Sequence, residues 1–524
     1  MKTRLTSARA LYETFIFTEK LIIIKGDVIR YDLNQPLGRG VYVGSIDSYG
    51  LELKNKFAVK LCGIDKSLSG AEYEKDKFDD KYLKEIIIAS KLTDNVNVAR
   101  YIRHCVHNSE LVLVTQLCNK EKWKDLLPTF TIEKKKILLI QLCHGLRYIH
   151  HNRIAHRDLK PTNVLLSLDK KNIKIIDFGI SKEFALDENK TIIRSTGFNG
   201  SYGWVASEMC PDDRSTGFEA WVKADIYSSG LFIYFIFTDG KHPYAGKNYK
   251  QQTSIEEKKK PNFSDIENDK EFYDRYLLID LLMAMLSHEP EARPEITEIL
   301  QHCITWNEEK KMSFIKVCHR SFDLSFDHDK KLTKFESRKH LKMNGTVEKK
   351  MAYLDIKDKD ESCDDHSSND SQNSIQFVSS SEEAPEDNIK PWEGQSVDEP
   401  MRTKEEEEAL ERIYNIIGGD WVKFIKETLE DPNSGNSSPY RNSLTDLVRY
   451  IRNTHEYYDA NINDKPEEVK LKLGSKNKGM WSFFASNFPE FFPHLFNLMK
   501  DELKGDDKEK YLQEEAKNCE LPQK

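Results

Sequence analysis

Residues 156–163 read His-Arg-Asp-Leu-Lys-Pro-Thr-Asn, and an Asp-Phe-Gly triplet begins at Asp177. These residue types, in this order, are suited to phosphoryl transfer. Asp158 can accept or orient the proton of an attacking hydroxyl group, and Lys160 can steady the transferring phosphate. Asn163 and Asp177 supply oxygen atoms that can hold Mg2+ on the phosphates of ATP. The two motifs together therefore predict an ATP-dependent phosphotransferase that uses Mg2+.

Upstream residues fit a nucleotide site. Gly38 and Gly40 begin a glycine-rich loop whose backbone can approach phosphate groups closely. The third glycine, Gly44, stands one residue late, so the loop is either one residue longer or holds phosphate less tightly. Lys60 lies on a predicted strand, placed for the α and β phosphates, and Glu85 on the next helix is its expected ion-pair partner. Alone, the glycine pattern is a weak signal that an ordinary turn also fits.

Further residues complete the pattern of a protein kinase. We assign Gln116 and Cys118, at the end of the last predicted strand of the sheet, to the nucleotide site. Glu208 ends an Ala-Ser-Glu triplet where kinases carry Ala-Pro-Glu. We expect it to pair with Arg293, and we expect Asp225 to stabilise the larger lobe. These last three residues have structural roles.

Lys160 also indicates serine or threonine as the phosphate acceptor. The segment between Asp177 and Glu208 itself carries candidate hydroxyl acceptors: Thr191, Ser195, Thr196 and Ser201. A phosphate on one of them could order the segment against a cation such as Arg157 or Arg194. For each single hydroxyl group, the simpler interpretation is an unmodified loop residue.

The composition limits the class of protein. The chain has 524 residues, with 79 Lys and Arg against 87 Asp and Glu, and a net charge of -8. This length predicts two or three domains, and this charge excludes a uniformly basic nucleic-acid-binding protein. Nine cysteines, an odd number without paired zinc spacing, favour a reducing, cytoplasmic setting. We predict no membrane segment, because charged residues interrupt the apolar stretch near the N-terminus.

Hydrophobic periodicity predicts a strand-rich lobe followed by a helical one. The predicted strands cover residues 21–24, 28–31, 41–46, 57–61 and 111–116. The predicted helices cover residues 81–92, 226–237 and 276–286, together with one that begins at Ile132. The apolar stripe of that last helix is expected to contain Ile137, Leu138, Leu142, Leu146 and Ile149.

Between about residues 355 and 400 the chain becomes acidic and serine-rich with few large apolar side chains, which predicts a disordered linker or an inserted loop within the bounds 325–404. Helical periodicity resumes at Leu410, continues through 444–451 and ends in the aromatic run 481–496. We therefore divide the chain into an N-terminal extension (1–25), a kinase domain (26–306), a helical extension of its larger lobe (307–324), the linker (325–404), a second helical domain (405–505) and a charged tail (506–524).

Several segments carry a family resemblance. They are residues 200–206 (Gly-Ser-Tyr-Gly-Trp-Val-Ala), 444–453 (Leu-Thr-Asp-Leu-Val-Arg-Tyr-Ile-Arg-Asn), 466–469, 473–474 and 483–489. In these segments the chain resembles the inositol-requiring enzyme family, the kinase-endoribonucleases of the unfolded-protein response, whose close relative is ribonuclease L. The resemblance implies an α+β fold, in which a bilobal protein kinase precedes a small all-α ribonuclease domain of the KEN type. The acidic linker departs from this family, which fuses the two domains almost directly.

The resemblance implies that ATP-linked dimerisation controls a metal-free cleavage of RNA. In that reaction the ribose 2′-oxygen loses its proton to a base and attacks the adjacent phosphate, and an acid protonates the leaving oxygen. Arg452 and Asn453 match the family's site residues, and Tyr440 is assigned to the family tyrosine with a spacing one residue short. Tyr457 replaces the family histidine, four residues after the asparagine. The family also implies an upstream sensor protein, and in its inositol-requiring members a position at the cytosolic face of the endoplasmic reticulum.

Tyr457 determines how far this inference extends. A phenol has a reference pKa of about 10, roughly three units above neutrality, so it is a poor general base. His455 does not obviously replace the missing histidine, because two residues along a helix are a rotation of roughly 200° from Asn453. The simpler interpretation is that Tyr457 packs in a ribonuclease-like dimerisation module. Side chains that could hold an RNA backbone, or form an ordinary solvated face, are Lys470, Lys472, Lys476 and Lys478.

Three functions therefore compete. The first is a dual enzyme, in which the kinase controls RNA cleavage. The second is an active kinase whose C-terminal domain only self-associates or binds RNA. The third is a pseudokinase scaffold, against which the intact Lys60, Asp158, Asn163 and Asp177 argue.

Overall fold

The computed structural model describes residues 19–24, 27–38, 40–48, 51–62, 80–107, 110–184, 200–210, 217–323, 419–429, 444–500, 503 and 505–512. The chain divides into two compact units. The first contains Met1–Phe314 and Tyr458–Lys524, and the second contains Ile315–Tyr457. The predicted linker over 325–404 lies outside the described residues.

An antiparallel sheet of six strands opens the first unit, in the order β1-β2-β3-β4-β6-β5. The strands are β1 (Glu19–Ile24), β2 (Asp27–Gly38), β3 (Val41–Ser48), β4 (Leu51–Cys62), β5 (Tyr101–His107) and β6 (Glu110–Gln116). Every predicted strand lies within one of them. Ile22, Ile29, Val59 and Val114 form part of the buried core, because alternate side chains of a strand share one face. The predicted extension over 1–25 thus contains the edge strand β1.

Helix α1 (Asp80–Lys91) interrupts the sheet between β4 and β5, as the periodicity predicts. Its inner face buries Glu85 and Ile86, while Ile87 is 50% exposed. The helix therefore turns one carboxylate inward, towards the sheet that carries Lys60.

The larger lobe is helical, and the confirmed fold class is α+β. Its helices are α2 (Trp123–Leu126), α3 (Ile132–His151), α4 (Phe218–Phe237), α5 (Tyr249–Glu256), α6 (Ser264–Glu267), α7 (Arg275–Met285), α8 (Ile296–Gln301) and the first half of α9 (Glu308–Asp323). Short strands β7 (Ile154–Ala155), β8 (Val164–Leu166), β9 (Ile173–Ile175) and β10 (Lys182–Glu183) lie between α3 and α4. Helix α4 is buried along nearly its whole length.

The predicted stripe of α3 is wrong at one position. Leu138, Leu142, Leu146 and Ile149 are buried, but Ile137 is 47% exposed. Residues 138, 142, 146 and 149 follow the three-to-four spacing of one helix face, and position 137 lies about 100° away from that face.

The C-terminal helices of the first unit are α12 (Tyr458–Asn461), α13 (Glu467–Leu473), α14 (Lys478–Asn487), α15 (Phe491–Met499) and α16 (Gly505–Leu512). Two of them, α15 and α16, pack on the kinase lobe through aromatic rings. Trp306 contacts Phe496 edge to face at 5.4 Å between ring centroids, and Tyr511 at 5.5 Å. The predicted charged tail over 506–524 therefore begins with a helix whose Tyr511 is buried.

A buried carboxylate, that of Asp274, also joins the C-terminal helices to the kinase lobe. Asp274 accepts hydrogen bonds from the Lys311 ammonium at 2.6 Å and from the Trp481 indole at 2.7 Å, and it also pairs with Lys136. Burial acts to raise the pKa of Asp274, but the two ammonium groups hold it below its usual value. The carboxylate is therefore charged, and it fixes α14 to the kinase lobe.

The second unit contains α10 (Trp421–Leu429), α11 (Leu444–Glu456) and the second half of α9. Helix α11 buries the predicted stripe of Leu444, Leu447, Val448 and Ile451. Among the described helices of the whole chain, none has the length and apolar character that crossing a membrane requires.

Candidate functional site

Asp158 is the centre of the candidate kinase site. Its carboxylate accepts hydrogen bonds from Lys160 Nζ at 2.6 Å, from Asn163 Nδ2 at 2.8 Å and from Ser201 Oγ at 2.7 Å. Lys160 also donates to Ser201 Oγ. The sequence motif thus folds into one cluster. Ser201 belongs to the segment between Asp177 and Glu208, called the activation segment below, and its hydroxyl group contacts both Asp158 and Lys160.

The backbone before Asp158 is held by Asp225. Its carboxylate accepts from the backbone N–H groups of His156 and Arg157, both at 2.8 Å, and contacts His150 Nε2 at 2.9 Å. Arg157 has a φ of +70°, a left-handed conformation that costs energy for a residue with a side chain. The predicted stabilising role of Asp225 is therefore visible in its contacts, which offset this strain.

Lys60 joins the sheet to the larger lobe of the kinase. Its ammonium lies 2.6 Å from Glu85 Oε1 and 3.1 Å from Asp177 Oδ1. Burial acts to lower the pKa of Lys60, but the two carboxylates raise it above its ordinary value. Burial likewise acts to raise the pKa of Asp177, and Lys60 holds it below the usual range. Lys60 and Asp177 are therefore placed to carry charge, and Lys60 bridges the carboxylates of Glu85 and Asp177.

The oxygen donors of the site fit Mg2+. Asn163 uses its Nδ2 for the carbonyl and carboxylate oxygens of Asp158, which turns its amide oxygen in the other direction. Asp177, at a φ of +64°, keeps its side chain 43% exposed. Carboxylate and amide oxygens are ligands that Mg2+ accepts, so these two residues would hold the ion and it would neutralise phosphate charge.

The glycine-rich turn is short. Gly40 has a φ of +70°, and its carbonyl accepts from the Leu61 N–H at 2.8 Å. Gly44 lies inside β3, opposite Tyr31, where an added Cβ would come within 2.5 Å of a backbone oxygen. Gly44 thus allows close strand packing and does not lengthen the turn. A Cβ at Gly38 would meet no atom within 4 Å, which leaves this side of the turn open.

Gln116 ends β6, and Cys118 follows it. The Gln116 N–H donates to the Arg100 carbonyl at 2.8 Å, and the Cys118 thiol donates to the Gln116 carbonyl at 3.7 Å. Cys118 is buried, which raises the pKa of its thiol to about 11. It is one of seven described cysteines, all of them free thiols. The assignment of both residues to nucleotide binding stays a prediction.

The expected pair of Glu208 and Arg293 is present. Arg293 donates to both carboxylate oxygens of Glu208, at 2.5 Å and 2.9 Å, and its side chain is completely buried. This bidentate contact ties the end of the activation segment to the larger lobe. The other candidate acceptors Thr191, Ser195 and Thr196, and the cation Arg194, lie outside the described residues.

The candidate ribonuclease residues lie at the end of α11. Arg452 Nη1 donates to Glu456 at 2.9 Å, and the Asn453 carbonyl accepts from the Tyr457 N–H at 3.0 Å. Tyr457 is 54% exposed, so the interpretation that it packs is wrong. His455 is buried, in line with its expected turn away from Asn453. Tyr440 lies outside the described residues.

The sequence reasoning missed one residue beside this group. Arg452 Nη2 contacts the imidazole of His319, which stands 133 positions earlier in the chain, at 3.2 Å from Nε2. No motif marks His319, and only the fold brings it to Arg452.

The four lysines proposed for an RNA backbone each have an acidic neighbour. Lys470 pairs with Glu467 and Lys472 with Glu468, both at 2.8 Å. Lys476 pairs with Asp459 at 2.5 Å, and Lys478 lies 3.9 Å from Glu133. These pairs are exposed and therefore weak, but they reduce the positive charge that an RNA would meet.

Known protein families match this chain in two consecutive regions, a kinase region and a ribonuclease region. The protein kinase domain family matches residues 31–305, and the ribonuclease 2-5A family matches residues 394–514. Fission yeast "Sensor for unfolded proteins in the ER ire1" is 26% identical over 462 residues, which are 82% of this chain and 35% of that protein. Human "Serine/threonine-protein kinase/endoribonuclease IRE2" is 31% identical over 377 residues, 70% of this chain and 31% of that protein.

This chain spans about a third of the length of these relatives. The kinase match covers more than half of it, and the ribonuclease match follows in the order that the motifs predict. The chain therefore belongs to the protein kinase family, and in both of its matched regions it is similar to the kinase/endoribonucleases of the inositol-requiring group.

Proposed function

We propose that this chain is a serine/threonine kinase that phosphorylates itself with Mg2+ and ATP and, through ATP-linked dimerisation, controls RNA cleavage by its C-terminal domain. The proposal places it in a stress response such as the unfolded-protein response, in the cytoplasm, downstream of a sensor protein. The observation that carries it is the convergence of Lys160, Asn163 and Ser201 on Asp158.

The kinase part of the proposal uses side chains that already contact one another in the structure. Asp158, paired with Lys160, would orient an acceptor hydroxyl group, and Lys160 would offset phosphate charge. The exposed edge of Asp177 and the amide oxygen of Asn163 would hold Mg2+. Lys60, fixed by Glu85, would contact the α and β phosphates. Ser201 already occupies the acceptor side of Asp158, which supports a hydroxyl amino acid as substrate.

The ribonuclease half depends on fewer groups. Arg452 offers a guanidinium suited to phosphate, and Asn453 lies one residue further. Tyr457 is exposed, so its side chain can meet a substrate, but phenols as a class are poor general bases near neutral pH. This favours a second candidate function, in which the kinase is active and the C-terminal domain is a catalytically impaired module that self-associates or binds RNA.

One experiment separates the candidates. A fluorescent stem-loop RNA is incubated with the protein, Mg2+ and ATP, beside Arg452→Ala and Tyr457→His variants, while autophosphorylation and dimerisation are followed in the same samples. Cleavage that Arg452→Ala abolishes supports the dual enzyme. Silence that Tyr457→His converts to cleavage identifies the impaired module. Absence of autophosphorylation in the wild type would overturn the kinase half and revive the pseudokinase.

A further inference from the structure

Arg452 is held from two sides within the second unit. Nη1 donates to Glu456 Oε2 at 2.9 Å, and Nη2 lies 3.2 Å from Nε2 and 3.4 Å from Nδ1 of His319. The Arg452 side chain is only 25% exposed. The guanidinium is therefore a directed group, unlike a long surface arginine that samples many rotamers.

His319 is a rigid support. It is 4% exposed and belongs to the second half of α9, where Ile315, Val317 and Cys318 are also buried. A side chain packed in this way keeps one rotamer, because moving it would displace its neighbours. The orientation of the imidazole is thus fixed by the core of the unit.

The distances from Arg452 Nη2 to the two ring nitrogens of His319 show what kind of contact joins the side chains. An in-plane hydrogen bond to the lone pair of one ring nitrogen would leave the other nitrogen much farther away. Both nitrogens lie at nearly the same distance from Nη2, so the guanidinium does not sit on either lone pair. The contact is one between a planar cation and an aromatic ring, which an arginine makes readily.

The inner edge of the Arg452 guanidinium is enclosed by the protein. Its Nε is buried and has no hydrogen-bond partner among the residues that the structure describes. Enclosure of this atom restricts the rotamers that the Arg452 side chain can adopt. The guanidinium is therefore kept in one direction by its surroundings as well as by Glu456 and His319.

We infer that His319 is the positioning residue of Arg452: its buried ring supports one edge of the guanidinium, Glu456 holds the other, and the arginine is thereby aimed at a phosphate group of RNA. The inference rests on the proposed ribonuclease function for its substrate. It also assigns the second half of α9, predicted as part of the kinase lobe, to the architecture of the ribonuclease-like site.

The test uses the full chain with His319→Ala and His319→Phe, both checked for thermal unfolding. In the alanine variant we expect kcat for RNA cleavage to fall roughly ten- to a hundredfold with a smaller change in KM, because misplacement affects the transition state most. Phenylalanine keeps an aromatic face, so that variant should retain most of the activity. Unchanged kcat in the alanine variant, or equal losses in both folded variants, would overturn the inference.

A second readout does not need cleavage. Arg452 is labelled with phenylglyoxal and quantified by peptide mass spectrometry, with Arg449, one helical turn earlier and paired with Asp446, as internal control. We expect His319→Ala to accelerate labelling of Arg452 several-fold and to leave Arg449 unchanged. If the wild type cleaves no RNA, the ribonuclease proposal fails, but the positioning of Arg452 by His319 is still tested by the labelling. Equal labelling rates of Arg452 in the wild type and in His319→Ala would overturn that positioning.

Discussion

Asp158 and Arg452, the charged centres of the two candidate sites, are held in different ways. Asp158 is 13% exposed and receives hydrogen bonds from the motif itself and from Ser201, 43 residues away. Arg452 is 25% exposed and is held by Glu456 on the next turn and by a ring that no motif contains. The kinase site is thus supported by its own signature residues. The candidate ribonuclease site has a cation held by contacts outside any motif, and it carries Tyr457 at the position where the family resemblance implies a histidine.

The largest effect is expected for Asp158→Ala. The carboxylate that orients the acceptor hydroxyl group disappears, so autophosphorylation should fall by about 10²- to 10⁴-fold. Phosphate incorporation from labelled ATP measures the loss. As control, Asp169→Ala removes a carboxylate on an exposed turn that contacts Ser167 and Lys171, and it should phosphorylate normally. Comparable activity in the two variants would contradict the role of Asp158.

Next comes Arg293→Ala, which tests the buried support of the kinase site. It leaves Glu208 without its bidentate partner, and breaking a buried ion pair costs about 3–5 kcal/mol. Urea denaturation measures the free energy of unfolding. Lys241→Ala, which removes a lysine that is 61% exposed and paired with Asp265, should cost less than about 1 kcal/mol. Equal costs would mean that burial does not distinguish these pairs.

Glu85→Gln should have a moderate effect. It removes one of the two carboxylates that hold Lys60, and the KM for ATP should rise about tenfold, the equivalent of roughly 1.4 kcal/mol. Steady-state kinetics with varied ATP measure it. The matched variant Glu183→Gln removes an exposed partner of Lys91 and should leave the KM unchanged. A normal KM in Glu85→Gln would remove Glu85 from the nucleotide site.

Glu456→Gln tests the weaker support of Arg452. The hydrogen bond from Arg452 lowers the pKa of Glu456, but the Glu456 side chain is exposed, so solvent weakens the ion pair. The free energy of unfolding should therefore change by less than about 1 kcal/mol. Urea denaturation that shows a cost similar to that of Arg293→Ala would erase the contrast between the two sites.

The smallest effect is expected from pH. The pKa of Lys60 is raised, so its contribution is present below the unfolded value and is lost only as pH rises through the folded value. The pKa of Asp177 is lowered, so its contribution is present above the unfolded value and is lost only as pH falls through the folded value. From about pH 6 to about pH 9 both stay charged. ATP titrations across this range should give a dissociation constant that changes less than about threefold, and a steeper dependence would show that the bridge is not intact.

Most of the fold was predictable because it follows local patterns. Alternating residues specified the strands, and the motif at 156–163 specified the catalytic loop. The error at Ile137 arose because an apolar residue beside a stripe looks like a member of it. Tyr457 was misjudged for a related reason, since the sequence does not show which aromatic residues near a helix end stay exposed.

The sequence by itself determined the order of the two domains, which the family matches confirm, and it predicted the set of phosphoryl-transfer residues, because each of these is a matter of residue type and spacing. That Tyr457 stands in place of a histidine is what the family resemblance implies. Tertiary structure alone decided that Ser201 meets Asp158, that Trp481 meets Asp274 and that His319 supports Arg452. These partners stand 43, 207 and 133 positions apart. Contacts at such distances have no local signal, since packing of whole helices, rather than the propensity of any one segment, brings the side chains together.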